Sequence, residues 1–168
     1  MSAKKVLLAQ YDLHNELYNN VIADISDEES NKSIADPMNS VKWLAGHLAW
    51  AQLNLAKISG VAVDFQWRDR FHTKQGATPE DLSAPPSELP TLAEIRDNWN
   101  EMGPVIRAGL ENLPDEALNT EIPVKHPIAP FDNTLGGLWA FINHHQAYTI
   151  GQIGILRRAI GKEAMKYL

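Results

Sequence analysis

Four stretches of this chain repeat apolar residues at helical spacing, and they leave little room for anything but helices and their connections. The first covers residues 5–25, with Leu7, His14, Leu17, Val21 and Ile25 on one stripe. The second covers 39–59, between Pro37 and Gly60, and its inward face is expected to hold Trp43, His47, Trp50 and Asn54. The third covers 92–113, with Ile95, Trp99, Met102, Ile106 and Leu110 in register; Gly103-Pro104 should kink or split it. The fourth covers 135–160, opened by the capping residues Asp132, Asn133 and Thr134 and closed by Gly161.

Two long connections separate these segments. Residues 61–90 carry Trp67, Phe71, His72, Gly76 and four prolines, and 114–133 carry His126 and Pro123, Pro127 and Pro130. Connections of this length inside a compact domain are usually covers, lids or ordered extended segments. A short extended piece near 121–124 is the only strand expected. His72 and His126 read as solvent-exposed loop histidines. At 168 residues the chain suits one domain, 1–168, and the pattern predicts an all-α, four-helix bundle with long crossover loops.

Composition narrows the function classes. There is no cysteine, which removes disulfides, thiolate ligands and a protein thiol nucleophile, so any thiol chemistry needs a small-molecule thiol. The net charge is −6 with no basic stripe, which argues against a nucleic-acid partner. The one close basic pair of the last helix, Arg157–Arg158, complements the helix dipole at its C-terminus. No apolar run approaches the ~20 residues that span a bilayer, and the first residues lack a signal-peptide pattern, so no membrane partner and a cytoplasmic location are expected. The run DEES at 27–30 reads as a solvated loop or cap.

The chemistry concentrates in HHQAYTIGQ, 144–152. Residues one turn apart on a helix lie one above the other. Taking His145 as origin, Phe141, Thr149, Gln152 and Leu156 share its face, while His144 is rotated by about 100° and aligns with Tyr148 and Ile155. Only one of the two histidines points squarely inward, and His145 is that one. On the second segment His47 falls between Trp43 and Trp50. A lone histidine there is more often a hydrogen-bonded core residue than a ligand, and the same holds for His14. Convergence changes the reading, because bundle metal sites are built from inward side chains on facing helices and neutral imidazole is the commonest ligand. A core polar network would show the same spacing.

Taken together, NSVKWLAGHLAWAQ (39–52), WRDRFHTKQGATPEDL (67–82) and HQAYTIGQIGILRRAIGKEAMKY (145–167) resemble the DinB-like superfamily of four-helix-bundle proteins. The resemblance implies a divalent metal, commonly zinc or nickel, held by three histidines. One comes from the second helix and two from an H-x-x-x-H-x-G-Q segment of the last. His47 matches the first and His145 the second, with Gly151 and Gln152 matching the G-Q. The third position is Thr149, whose neutral hydroxyl is a poor ligand for such a metal. His14 reaching across from the first helix, His144 or Tyr148 moving in, or a water or exogenous ligand are the candidates to complete the shell; His144 requires a π-bulge to turn inward.

The same resemblance implies a metal-dependent enzyme of the small-molecule-thiol S-transferase type. In that reading His47 and His145 are ligands, Gln152 is an orienting neighbour, and Tyr148, Thr149 and Trp43 line the small-molecule substrate and thiol site. A homodimer through bundle faces is implied by analogy. The alternative is a non-catalytic, metal-free bundle serving as a small-molecule-binding or structural module, with His47 and His145 hydrogen-bonded to each other or to Thr149 and a water.

Overall fold

In the computed structural model, the described residues are 2–32, 34–35, 38–72, 89–122 and 133–167. Four long helices dominate: α1 (Ala3–Ile22), α3 (Val41–Ile58), α5 (Leu92–Asn112) and α6 (Leu135–Ala159). Two short ones, α2 (Asp27–Ser30) and α4 (Arg68–Phe71), and a 3₁₀ turn (Asp115–Asn119) lie between them. This is the all-α bundle that the periodicity predicts. Each long helix starts at a hydroxyl. Ser2, Ser40, Thr91 and Thr134 accept the backbone N–H of Lys5, Trp43, Glu94 and Gly137, satisfying a donor with no partner inside the helix. Gly60 and Gly161, with φ of 69° and 88°, turn the chain away after α3 and α6 in a conformation glycine adopts without strain.

α1 packs between α5 and α6, and α3 does the same on the opposite side, so α1 and α3 are diagonal. Tyr11 and Tyr18 span that diagonal, their hydroxyls donating to Gln52 Oε1 (2.9 Å) and the Ala45 carbonyl (3.3 Å). Those contacts run in opposite senses along the two helices, so α3 is antiparallel to α1. Asn143 meets Leu7 while Arg157 meets Val21, so α6 is parallel to α1. Tyr18 stacks on Trp99 at 4.0 Å while Lys4 reaches the Glu111 carbonyl, so α5 is antiparallel to α1 and parallel to α3. The order is up, down, down, up. The connection from α3 to α5 therefore climbs the bundle, a distance of ~27 Å for the 18 residues of α3. Phe65 and Phe71, on that climb, are completely buried against α3.

Several expectations change in the structure. The third helix is neither split nor stopped at Gly103-Pro104: α5 runs on through Pro104. Pro104 lies on the exposed side, so the carbonyl that loses its N–H partner, that of exposed Asn100, faces water. The Gly103 carbonyl lies 3.3 Å from the Tyr11 hydroxyl and shares its one proton with the closer Gln52 Oε1. Asn54, expected inward, is exposed, because the buried stripe of α3 is Val41, Ala45, Leu48, Gln52 and Leu55. Arg157 is buried and serves more than the dipole: it donates to the Ala23, Val21 and Glu163 carbonyls and ties the end of α6 to the end of α1. At the expected extended piece, Glu121 forms an isolated antiparallel bridge with Thr134. Residues 123–124, Gly76 and His126 lie outside the described residues.

The DEES run is a short helix rather than a loop, capped by reciprocal bonds between Ser26 and Glu29. Asp27 does the structural work. Its carboxylate meets the buried Lys42 ammonium at 2.8 and 2.9 Å and accepts the Leu92 N–H at the start of α5 at 2.8 Å. One side chain thus joins α2, α3 and α5 at one end of the bundle. Asp27→Ala should cost about 3–5 kcal/mol in urea denaturation, because the side chain of the 1 %-exposed Lys42 would be left buried without its partner. Lys42→Met should cost under ~1 kcal/mol, because Asp27 is half exposed and keeps its backbone donor. Equal losses in the two variants would contradict this asymmetry.

Candidate functional site

His47 and His145 come together. α3 and α6 bring their Nε2 atoms to 3.3 Å, with ring planes at 76°. His47 Nδ1 lies 3.1 Å from the Phe71 carbonyl. A carbonyl only accepts, so Nδ1 carries the proton and Nε2 presents a lone pair toward His145. The His47 ring is sandwiched between indoles one turn away on either side: Trp43 at 5.0 Å and 10°, and Trp50 at 5.3 Å and 22°. His72, exposed as expected, stands edge-on to Trp50 at 5.0 Å and continues the aromatic wall. His47 is 8 % exposed and Trp43 6 %, while His145 is half-buried.

Burial sets the electrostatics of the pair. Desolvation lowers the His47 pKa; the Phe71 carbonyl opposes this and the charge of His72 adds to it. His145 is pushed down to about 4, by burial first and then by the charges of His47 and His144. Both rings are therefore neutral at pH 7, the form that ligates a metal or shares an N–H···N hydrogen bond. The separation fits a metal as well. Two nitrogens at the ~2.0–2.1 Å bond length of zinc, set at a tetrahedral angle, lie about 3.3–3.4 Å apart.

The other predicted site residues do not all converge. Thr149 is buried at 3 % on α6, one turn beyond His145. Gln152 is half-buried, and Tyr148 is 63 % exposed on the outer side of the helix. His144 is exposed. His14 is buried in the α1–α6 seam; burial lowers its pKa and the nearby Gln146 amide works the other way. Among the described residues, no group of three His, Cys, Asp or Glu side chains is placed to hold an ion, so neither His14 nor His144 joins the pair.

The sequence reading missed the centre of the polar layer. The deepest face of α6 runs through Trp139, Asn143, Gln146, Ile150 and Ile153, with His145 on its flank. Asn143 donates to the Leu7 carbonyl, and Gln52 accepts from Tyr11 across the bundle. Among the described residues His14 Nδ1, Gln52 Nε2, Asn143 Oδ1 and both amide atoms of Gln146 are buried without a hydrogen-bond partner. The signal was present: Trp139, Asn143 and Gln146 follow the spacing of a buried stripe as regularly as Phe141 and His145 do.

Comparison with known proteins agrees with this architecture. The family model of the DinB superfamily matches residues 10–153, most of the chain. The chain belongs to the DinB superfamily. No curated protein matches it. A crystal structure of a conserved protein from Enterococcus faecalis superimposes on 95 % of this chain and 98 % of its own, with a TM-score of 0.74 at 17 % identity. At that identity the likeness is one of fold. Among the described residues, no helix of this DinB-superfamily chain is long and apolar enough to cross a membrane.

The lowered imidazole pKa values carry a sign. Between about 4, for folded His145, and the ordinary value near 6.5, the unfolded chain binds more protons than the folded one. Stability from the buried neutral ring is therefore full above that window and is lost as pH falls through it. For metal-free protein the urea midpoint should drop between pH 7.5 and pH 5.0, and His145→Gln should drop less. An unchanged pH dependence in that variant would show that His145 is not held neutral by the fold.

Proposed function

We propose that the His47–His145 pair is a two-imidazole site for a divalent metal, zinc or nickel, at which a small-molecule thiol binds, and that the protein is a metal-dependent enzyme of the thiol S-transferase type. The observation that carries this reading is the 3.3 Å Nε2–Nε2 separation, with the His47 lone pair already aimed at His145 by the Phe71 carbonyl. In the bound state the metal would supply stabilisation of the thiolate form of the sulfur. The chain's own part is to hold two neutral imidazoles at the bite distance of one ion and to exclude water with Trp43 and Trp50. With no cysteine in the protein, the sulfur belongs to the small molecule. Thr149, buried where the family pattern has a third imidazole, leaves more of the coordination shell to exogenous groups. Two copies associating through bundle faces accompany the proposal by analogy.

One observation favours a second reading. The 3.3 Å separation is also that of an N–H···N hydrogen bond, with His145 Nε2–H donating to His47 Nε2. In that case the protein is a metal-free binding or structural module and the pair is a polar tie between α3 and α6. Metal analysis of untagged protein separates the two. The first reading expects stoichiometric zinc or nickel, lost in His47→Ala and in His145→Ala. It also expects Thr149→His to tighten zinc binding by about two orders of magnitude, roughly 3 kcal/mol. Wild type that takes up no metal, with uptake restored by Thr149→His, supports the second. A Thr149→His protein that gains no affinity would refute the placement of Thr149 at the third position.

A further inference from the structure

We propose that Gly46 is a positioning residue for His47, acting through the ring of Phe71; the proposal rests on the reading of His47 as a ligand. A Cβ built on Gly46 would lie 2.2 Å from Phe71 Cε1 and 2.4 Å from Cδ1 and Cζ, so the ring occupies the space that a side chain at this position would fill. Phe71 is wholly buried and stacks on Phe65 at 5.7 Å, so its ring cannot swing aside as the end of a flexible chain would. The carbonyl that accepts the His47 Nδ1–H belongs to the same residue. Seating the ring against Gly46 thereby sets the acceptor at the Nδ1 edge of the imidazole of the next residue in α3.

With any larger residue at position 46, the ring must retreat by more than ~1 Å to reach ordinary carbon–carbon contact. The part of that retreat that the buried ring passes to its own backbone displaces the Phe71 carbonyl, and a 3.1 Å hydrogen bond that lengthens beyond ~3.5 Å is lost. Without an acceptor at Nδ1, the proton is free to sit on Nε2, where it blocks the lone pair that faces His145. Gly46 therefore governs a tautomer that no backbone turn at this position explains, since Gly46 lies inside α3.

The test uses the full chain stripped of metal, with the His47 tautomer read from long-range ¹H–¹⁵N correlation spectra and zinc affinity from chelator competition. Wild type should show His47 protonated at Nδ1. Gly46→Ala should show a mixture of tautomers and zinc affinity lower by about 10–100-fold. Gly46→Ala combined with Phe71→Ala removes the clash and should recover the Nδ1–H form and most of the affinity. Should Gly46→Ala alone not fold, recovery of fold and tautomer in the double variant supports the proposal, and failure to recover either overturns it. Gly46→Ala with the wild-type His47 spectrum and affinity also overturns it. A wild type with the expected tautomer and no zinc uptake would count against the metal reading alone, leaving the tautomer comparison to judge Gly46.

Discussion

The parallel placement of α3 and α5 governs most of what is distinctive here. Two adjacent helices that run the same way cannot be joined by a short turn, so residue 59 and residue 91 stand at opposite ends of the bundle. The described start of that connection, 60–72, climbs along α3, and the flank it passes is the one that carries Trp43, His47 and Trp50. Phe65 and Phe71 anchor that climb in the core, and the Phe71 carbonyl ends on the His47 ring. Phe71 and His72 of this connection are thus part of the site. At the end where α5 begins, Asp27 holds the start of α5 and the buried Lys42 of α3 in one cluster, which keeps the two parallel helices in register.

The bundle also carries an unusual amount of polarity near its axis. Gln52, Asn143 and Gln146 are almost fully buried, and Tyr11 crosses the diagonal to reach Gln52. An unpaired buried polar atom costs about 1–3 kcal/mol, and an apolar side chain in its place would avoid that. Aromatic rings surround this layer: Trp139 meets Tyr11 edge-on at 5.5 Å and Tyr18 stacks on Trp99. The indole N–H groups of Trp99 and Trp139 are themselves buried without a partner among the described residues. His47 and His145 sit beside this layer, on the seam between α3 and α6.

What the sequence could disclose follows from how each interaction is encoded. The four long helices were legible because a 3.6-residue repeat and hydroxyl caps are local signals, and each long helix begins at a Ser or Thr. The meeting of His47 with His145 was legible from phase plus family resemblance. Phase alone misjudged the axis by about one residue on both helices: Asn54 is exposed, and Gln146 rather than His145 is central. A wide apolar stripe does not mark its own midpoint, and Trp43, Trp50 and Phe141 pulled the apparent centre to the flank. Lys42 was invisible for a different reason: nothing local distinguishes a lysine that folding will bury against an aspartate fifteen residues away. The bond between His47 and a carbonyl contributed by a loop is likewise a property of topology. It depends on where the climb from α3 to α5 passes, and no residue type at position 71 encodes it.

The chemistry of the pair reduces to the placement of two protons. His47 commits its proton at Nδ1 to Phe71, so its Nε2 is a lone pair whatever else is bound. Two lone pairs facing each other at 3.3 Å repel, and charging either ring is opposed by burial. Only two arrangements satisfy these conditions. Either His145 carries its proton on Nε2 and donates it to His47, or that proton sits on Nδ1 and a cation lies between two converging lone pairs. His145 is the more exposed of the two rings, and α6 offers it no backbone acceptor comparable to the Phe71 carbonyl among its described hydrogen bonds. The rigid half of the site is therefore on α3 and the adaptable half on α6, and one tautomeric change in His145 separates a structural tie from a ligand pair.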